Sequence, residues 1–331
     1  MKDETICAVV VTYNRKKLLI ECLKALKNQT RPVDAIYIVD NASTDGTPEL
    51  LLENKYLEEL PANELKENFE KTIKKDNTII HYLKMPENTG GAGGFHEGIK
   101  RAYKKGYDWI WLMDDDAKPR EDALKRLEEA FLKRKVLTLA SVVKNSSGII
   151  QINHRGYFDF KNIFPRIQKP IPKKCYQKEV LEIDMASFVG FLVNRTIIKK
   201  VGLPKKEFFI HNDDVEFCIR LRKFSRILLV TNSIIFHNEK ETTENVRVTY
   251  QKLWIKYYSK RNLIWLGKKY SLNKIYFYLL MFKNYLIEIV FILLFDNKKF
   301  KRINFLTESY SDGLKGIFDN KKPKRLLYKK E

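Results

Sequence analysis

Three consecutive aspartates, Asp114–Asp116, are the residues of this sequence best suited to hold a metal ion. They follow a segment, Asp108–Met113, whose Trp and Ile residues predict a buried strand. Adjacent carboxylates repel one another, and a bound divalent cation would relieve that repulsion. Oxygen ligands suit Mg²⁺ or Mn²⁺, and alternation along an extended chain would turn Asp114 and Asp116 to the same side. The alternative is an acidic loop before a helix N-terminus, where negative charge is also favourable.

A second pair of carboxylates, Asp213 and Asp214, precedes an amphipathic segment that predicts a helix. Paired carboxylates can raise one another's pKa, so that one of them can serve as a general base. Capping of the helix N-terminus is the structural alternative. His237 follows a short apolar segment, where a single histidine is more often structural than a ligand. Spacing alone does not connect it to Asp114–Asp116.

Polar residues also end the other predicted strands. They are Thr12, Tyr13 and Asn14 after Ile6–Val11, Asp40 and Asn41 after Ala35–Val39, and Asn88 after Thr78–Leu83. In an open α/β sheet, ligands bind outside the carboxyl ends of the strands, so these residues and Asp114–Asp116 are expected to line one crevice. Helix capping explains one such position more easily than four in order.

The glycine-rich segment Gly90–Gly94 precedes a predicted helix, Phe95–Lys104. Glycines allow the backbone to approach a ligand closely, and a tight turn is the structural alternative. The segment does not match the dinucleotide-binding GxGxxG pattern, and it lacks the Lys-Ser/Thr of a phosphate-binding P-loop.

Buried strands that alternate with amphipathic helices predict an α/β fold with a mostly parallel, Rossmann-like sheet. Residues 53–77 are charged and helical in pattern, which predicts a helical surface insertion. Ile227–Val230 and Ile234–His237 predict two short strands. The pattern becomes helical and aromatic from Val246, so we expect a domain boundary near Thr243.

The charge is unevenly distributed. The chain carries a net charge of +21, and Lys240–Glu331 contributes +13 of it from 21 basic and 8 acidic residues. This indicates a polyanionic partner, either nucleic acid or an anionic membrane surface, unless a lysine-rich proteome accounts for it. Ile275–Phe295 approaches the length of a membrane span but contains Lys283 and Glu288, so interfacial or buried helices are favoured over a spanning helix. The N-terminus does not resemble a signal peptide, which favours a cytoplasmic location.

Six segments in order resemble the inverting GT-A glycosyltransferases of family 2. They are VVTYNR, VDNASTDGT, ENTGGAGGF, WLMDDDAKP, HNDDVEFCIR and IFHNE. Within that family the chain is most similar to galactofuranosyltransferases and rhamnosyltransferases, over about residues 5–265. The resemblance implies a GT-A nucleotide-sugar-binding catalytic domain in residues 1–243. Residues 244–331 then form a basic, aromatic-rich helical region for acceptor or membrane-surface association.

The resemblance also implies roles for individual residues. Those assigned to donor binding are Thr12, Tyr13, Asn14, Asp40, Asn88, Gly90, Gly91, Asp114 and Asp115, with Asp40 at the nucleotide base. Asp114, Asp116 and His237 are implied as ligands of Mn²⁺ or Mg²⁺ on the diphosphate. Asp214 is implied as the general base, with Asp213 beside it. His211, Asn212 and Arg261 are implied at the acceptor, although galactofuranosyltransferases often have Trp where this chain has Asn212.

The predicted function is an inverting hexosyltransferase of class EC 2.4, with a nucleoside-diphosphate sugar as donor. It would move galactofuranose from UDP-galactofuranose to a hydroxyl of a lipid-linked or cell-surface glycan by single displacement. We expect it to lie peripherally on the inner face of the cell membrane, without a nucleic-acid partner. One alternative is a rhamnosyltransferase that uses dTDP-rhamnose. More distant ones are a nucleotidyltransferase, which lacks support from a Lys- or Arg-bearing glycine loop, and a nucleic-acid-binding protein, which lacks a recognisable motif.

Overall fold

The computed structural model describes residues 4–62, 64–237 and 249–328. The strands are β1 Ile6–Thr12, β2 Ala35–Asp40, β3 Phe69–Lys75, β4 Thr78–Lys84, β5 Trp109–Asp114, β6 Ala117–Pro119, β7 Thr138–Lys144, β8 Arg155–Phe158, β9 Gln168–Pro170, β10 Val180–Ile183, β11 Met185–Ala186, β12 Phe191–Asn194 and β13 Ile227–His237. The helices are α1 Lys16–Lys27, α2 Thr47–Glu53, α3 Gly90–Lys105, α4 Ala123–Arg134, α5 Arg195–Val201, α6 Asp213–Leu221, α7 Leu253–Tyr270, α8 Lys274–Phe295, α9 Lys299–Lys315 and α10 Lys322–Tyr328.

These residues divide into two compact units. The sheet unit is drawn from Met1–Gly156, Pro170–Lys206 and Asp214–Lys240, and the helical unit from Tyr157–Lys169, Glu207–Asp213 and Glu241–Glu331. The sequence-based boundary near Thr243 lies outside the described residues, so the division into residues 1–243 and 244–331 stays a prediction.

A large mixed sheet forms the centre of the sheet unit. Its strand order is β10-β13-β7-β12-β5-β1-β2-β4-β3, and β6 pairs with β13. The strands β5, β1, β2 and β4 run parallel, as the alternation of strands and helices predicts. β12 lies antiparallel between β5 and β7, and β13 is parallel to β7. The carboxyl ends of β1, β2 and β5 therefore lie side by side at one edge of the sheet.

Helices cover both faces of the sheet because β1 is apolar on both of its faces. Ile6, Ala8 and Val10 belong to a core cluster that includes residues of α1 and α4. Val9 and Val11 point to the other face, where α3 lies. A Cβ added at Gly98 would lie 2.4 Å from Val9 Cγ1, and one added at Gly94 would lie 2.5 Å from Val11 Cγ1. These two glycines let α3 approach β1 closely.

Three expectations from the sequence are corrected by the structure. Gly90–Gly94 is the first part of α3 and not a separate segment before a helix, and Gly94 of this segment packs against Val11 of β1. Residues 53–77 are not mainly helical: α2 ends at Glu53, and β3 forms the edge of the sheet against β4. Charged side chains are common on edge strands, and in β3 they obscure the alternation of apolar residues. The two short strands near the end of the unit are one strand, β13, with a register irregularity between Val230 and Ile234.

The helical unit has a small aromatic core. Leu253, Tyr257 and Tyr258 of α7 pack with Phe305 of α9 and Leu327 of α10. The hydroxyl of Tyr257 donates to the buried carboxylate of Asp312. In contrast, α8 is mostly exposed along its length, although by length and composition it is long and apolar enough to cross a membrane.

Candidate active site

Asp114, Asp115 and Asp116 lie where β5 ends and the chain turns into β6. Asp115 and Asp116 are buried, and Asp114 is partly exposed. The neighbouring strand β1 brings Thr12 to this turn, where its hydroxyl donates to Asp115 Oδ2 at 2.7 Å. Arg15 Nη1 lies 3.3 Å from Asp115 Oδ1 and 2.7 Å from Asp116 Oδ2. The cluster is thus built into the parallel sheet and is not a solvated acidic loop.

The pairing of β13 with β6 brings His237 to the same cluster. In this pair His237 lies opposite Ala117, which is the residue that follows Asp116 in the sequence. His237 Nε2 is 2.9 Å from Asp116 Oδ1. One potential ligand atom from each of Asp114, Asp116 and His237 lies within 4.8 Å of the others. Two carboxylates and an imidazole at this spacing are a donor set that fits Mn²⁺, and the carboxylates also suit Mg²⁺.

The electrostatics of the cluster also fit a divalent cation. Burial raises the pKa of Asp114 to about 7, and the negative charge of Asp116 acts in the same direction. Burial likewise raises the pKa of Asp115 to about 6, although the hydrogen bond from Thr12 and the positive charge of Arg15 act to lower it. Burial also opposes ionisation of Asp116, but the hydrogen bond with His237 and the charge of Arg15 hold its pKa below the ordinary value. The raised pKa values of Asp114 and Asp115 mean that their ionised forms are disfavoured, and added positive charge would stabilise those forms.

Asp214 is partly exposed near the start of α6, where the N–H of Val215 donates to its Oδ1 at 2.7 Å. Burial of the carboxyl group raises the pKa of Asp214 to about 6, although that hydrogen bond and the positive charge of Arg155 act to lower it. A carboxylate with this pKa is ionised at neutral pH and can still accept a proton, as a general base requires. Asp213 is buried at the first position of α6.

Two polar residues near His237, the partly buried His154 and the buried Arg155, are not identified by the sequence analysis. The rings of His154 and His237 meet edge to face, with centroids 5.1 Å apart, and His154 Nδ1 lies 2.8 Å from Ser187 Oγ. The guanidinium of the adjacent Arg155 is buried and donates to the carbonyl oxygens of Ser141 and Val189 at 2.8 and 2.5 Å. Neither residue stands in one of the six motifs. Arg15 does, in VVTYNR, but its contact with the aspartates requires the tertiary fold.

The residues that end β2 and β4 form a hydrogen-bonded network. Asp40 is fully buried and accepts from the hydroxyl of Tyr82 at 2.8 Å and from the N–H of Ser43 at 2.7 Å. Asn41 Nδ2 donates to Asn88 Oδ1 at 3.1 Å and to the carbonyl of Gly90 at 2.9 Å. Both carboxylate oxygens of Asp40 are therefore engaged within the protein, and its contact with a nucleotide base stays a prediction.

Of the remaining residues assigned to the donor, Tyr13, Asn14 and Gly91 are more accessible, whereas Gly90 is buried. Tyr13 is exposed just beyond β1. Asn14 has a φ of 54°, and its Oδ1 accepts from the N–H of Thr44 at 2.7 Å. The space around Gly91 is open: apart from its chain neighbours and the adjacent backbone of α3, no heavy atom of the described residues lies within 4 Å of a Cβ built there. The N–H of Gly90 donates to Asn88 Oδ1 at 2.8 Å, so Asn88 holds the beginning of α3.

The residues assigned to the acceptor belong to the helical unit. His211 and Asn212 have φ values of 65° and 66°, a conformation that side chains with a Cβ rarely adopt. Asn262 Nδ2 holds this strained segment through the carbonyl oxygens of Phe208, Ile210 and His211, at 2.8 to 3.0 Å.

Arg261 differs from the other two acceptor assignments. It is 0% exposed, and its guanidinium donates to the carbonyl oxygens of Glu207 and Phe208 and to Asn320 Oδ1. The structure therefore places Arg261 in the interior of the helical unit, where it supports the 207–212 segment, and not on a surface that an acceptor could touch.

Two solved structures have a similar fold. A Staphylococcus aureus TarS fragment, residues 1–349 in complex with UDP, superposes with a TM-score of 0.57 at 13% identity, covering 94% of this chain and 81% of that one. GalNAc-T7, solved with UDP, GalNAc and Mn²⁺, superposes with a TM-score of 0.58 at 12% identity, covering 96% of this chain and 57% of that one. At such low identity these similarities concern the fold alone.

Sequence comparison identifies the family. The chain is similar to the galactofuranosyltransferase GlfT1 of Mycolicibacterium smegmatis, with 28% identity over 223 residues, which are 66% of this chain. The match spans 65% of the length of that relative. Residues 7–202, more than half of the chain, match the family described as Glycosyl transferase family 2. The chain therefore belongs to glycosyl transferase family 2 and has the GT-A fold.

Proposed function

We propose that this protein transfers galactofuranose from UDP-galactofuranose to a hydroxyl of a lipid-linked or cell-surface glycan, with inversion at the anomeric carbon. The observation that carries the proposal is the cluster of Asp114, Asp116 and His237 at the carboxyl edge of a GT-A sheet. The choice of sugar is supported by the similarity to GlfT1, which is named as a galactofuranosyltransferase.

In the proposed reaction, Asp214 accepts the proton of the attacking acceptor hydroxyl. Its raised pKa supports this role because the carboxylate is ionised at pH 7 without being too weak a base. Asp114, Asp116 and His237 would hold Mn²⁺ or Mg²⁺. Such an ion would supply positive charge for the leaving nucleoside diphosphate. Thr12 and Arg15 would keep the carboxylates oriented, because both already contact Asp115.

The donor-binding residues of the proposal are those near the strand ends. Tyr13, Asn14, Asp40 and Asn88 would surround the nucleoside, with Asp114 and Asp115 near the diphosphate. The open space at Gly91 supports a close approach of the sugar to the backbone of α3. Near the acceptor, we retain His211 and Asn212 as proposed contacts, whereas Arg261 is proposed to support them from the interior.

We also propose that the protein associates with the inner face of the cell membrane. The support comes from α8, whose Leu279, Phe282, Leu286, Val290 and Leu294 are exposed. Lysines follow this helix at positions 298, 299 and 301. An exposed apolar helix flanked by basic residues suits a membrane interface that contains anionic lipids.

A transfer assay tests the donor and the base together. Purified protein with Mn²⁺ is incubated with alkyl glycosides and either UDP-galactofuranose or dTDP-rhamnose, and the glycosylated product is measured by mass spectrometry. We expect product with UDP-galactofuranose, and a loss of about 10²–10⁴-fold in kcat for Asp214→Asn. Asp184→Asn, which removes a surface carboxylate that pairs with Arg222, serves as the matched control and is expected to keep its activity.

The outcomes separate the parts of the proposal. Product from dTDP-rhamnose alone would replace the proposed donor with that of a rhamnosyltransferase. Full activity of Asp214→Asn would remove Asp214 as the base but leave the donor assignment in place.

A further inference from the structure

The helical unit contains a cavity of which His211 is the one lining residue that also belongs to the proposed reaction. It lies among α7, α8 and α9 and has a volume of about 500 Å³. Its lining is both charged and apolar, and consists of His211, Ile255, Lys256, Ser259, Lys260, Glu288, Phe291, Asp296 and Arg302. Its size is within the range of cavities that bind small ligands or headgroups.

The cations of this cavity outnumber its carboxylates. Lys260 pairs with Glu288. Arg302 is buried, and its Nη1 lies 4.0 Å from Asp296 Oδ1 while its Nε donates to the carbonyl of Asn297 at 3.0 Å. Lys256 is exposed and makes no hydrogen bond or ion pair to residues 4–62, 64–237 or 249–328. Lys256 therefore gives the cavity a positive charge that no protein carboxylate offsets in the described structure.

The neighbours of Lys256 indicate the kind of anion. Ser259 is three residues further along α7, so its hydroxyl lies on the same face as the ammonium group of Lys256. An ammonium group and a hydroxyl together suit the oxygens of a phosphate group. The carboxylates of Glu288 and Asp296 already have cationic partners, so they leave the charge of Lys256 available.

The other side of the cavity is apolar and leads to the exposed surface of α8. Phe291 lines the cavity and is itself 57% exposed. Leu294 and Phe295 continue this exposed surface along α8 beyond Phe291. A free phosphate would leave this apolar side unused, whereas a lipid would use both sides.

We propose that the cavity binds the phosphate group of an anionic membrane lipid, with Lys256 and Ser259 at the phosphate and Phe291 against the hydrocarbon chain. This inference rests on the membrane association proposed above and assigns a specific lipid site to it. The basic C-terminal residues attract an anionic membrane nonspecifically. The proposed site would add a specific contact that depends on one lysine, Lys256.

Vesicle binding by the full chain tests the site. The vesicles contain phosphatidylcholine with or without phosphatidylglycerol, and binding is measured by co-sedimentation for the original chain, Lys256→Gln and Lys283→Gln. Lys283 is the matched control because it is exposed on α8 but does not line the cavity. Loss of one surface lysine near an anionic membrane weakens vesicle affinity about fivefold. We therefore expect about a fivefold loss of vesicle affinity for Lys283→Gln and a loss well over fivefold for Lys256→Gln.

Acylation of Lys256, followed by mass spectrometry, distinguishes a lipid from a soluble phosphate. We expect phosphatidylglycerol vesicles to protect Lys256, while phosphatidylcholine vesicles and millimolar inorganic diphosphate leave it reactive. Equal losses for the two lysine variants, or equal protection by inorganic diphosphate, would overturn the lipid site while leaving membrane association intact. If no form of the protein binds vesicles, membrane association fails together with this site, and the transfer assay still reports separately on the enzyme.

Discussion

The carboxylate cluster of the sheet unit and the helix α8 of the helical unit depart from ordinary burial in opposite ways. At the cluster, the charged groups of Asp115 and Asp116 are buried. On α8, large apolar side chains such as Phe282 and Leu294 are exposed. Charged groups are rarely buried and large apolar patches are rarely exposed unless something else compensates.

The two regions differ in how far the protein itself supplies the compensation. The cluster already has partners, since Thr12, Arg15 and His237 contact its carboxylates. In the proposal, these carboxylates also hold a small ion. The exposed face of α8 has no comparable cover within the described residues of its unit, and in the proposal it lies against a membrane surface. The two proposed partners differ in size as the two regions differ in how much of them the fold already covers.

Among the tests of this comparison, the largest effect is expected from Asp116→Asn. This change removes a proposed metal ligand, so activity should fall by more than the roughly 10–100-fold that loss of an outer-shell partner costs. The rise in melting temperature on adding Mn²⁺ to the purified protein should also disappear, as a thermal-shift assay would detect. Asp122→Asn is the control, because it breaks only ion pairs with Arg120 and Arg126 near the surface. An unchanged Mn²⁺ response in Asp116→Asn would mean that the buried carboxylates do not form the metal site.

A smaller effect is expected from Phe282→Ser on α8. Phe282 is 57% exposed, so its removal should leave the melting temperature unchanged in water. Transfer of such a side chain into an apolar phase is worth about 1.5–3 kcal/mol, which corresponds to at least a tenfold loss of vesicle affinity. Leu132→Ser, at a position that is 63% exposed in the sheet unit, is the matched control. Equal vesicle binding by both variants would show that α8 is not the membrane-facing surface.

The smallest effect concerns the pH dependence of turnover. A general base acts in its ionised form, and the pKa of Asp214 is raised to about 6, so kcat/KM should rise with pH through about pH 6. The rate at pH 5 should be about tenfold below that at pH 7. The profile is measured at two saturating Mn²⁺ concentrations. A rising limb that moves with the Mn²⁺ concentration would assign it to the metal-binding carboxylates and not to Asp214.

Much of the fold could be predicted because its signals are local. The apolar segments of β1, β2, β4 and β5 and the polar residues at their ends are visible in the sequence. The edge strand β3 was missed because its lysines and glutamate hide the alternation of Phe69 and Ile73. The start of α3 at Gly90 differs from the prediction because glycine has a low helix propensity, while at Gly94 contact with β1 requires it.

The candidate site was less predictable because its contacts are nonlocal. Spacing gave no reason to associate His237 with Asp116, and only the pairing of β13 with β6 brings them together. Arg15, His154 and Arg155 were missed for the same reason. Arg261 is assigned to the acceptor only by the family resemblance, but its burial reflects the packing of α7 against the 207–212 segment, which no local pattern reports.

The position of β13 has a consequence for the order in which the protein matures. The aspartates are synthesised well before His237, and the strand that carries His237 must insert between β10 and β7 and pair with β6. A nascent or C-terminally shortened chain would therefore have the carboxylates without the imidazole. An ion that binds all three residues would stabilise only molecules in which β13 is in place. Metal retention would then report that the sheet is complete, and metal supply during synthesis would favour the finished fold over earlier intermediates.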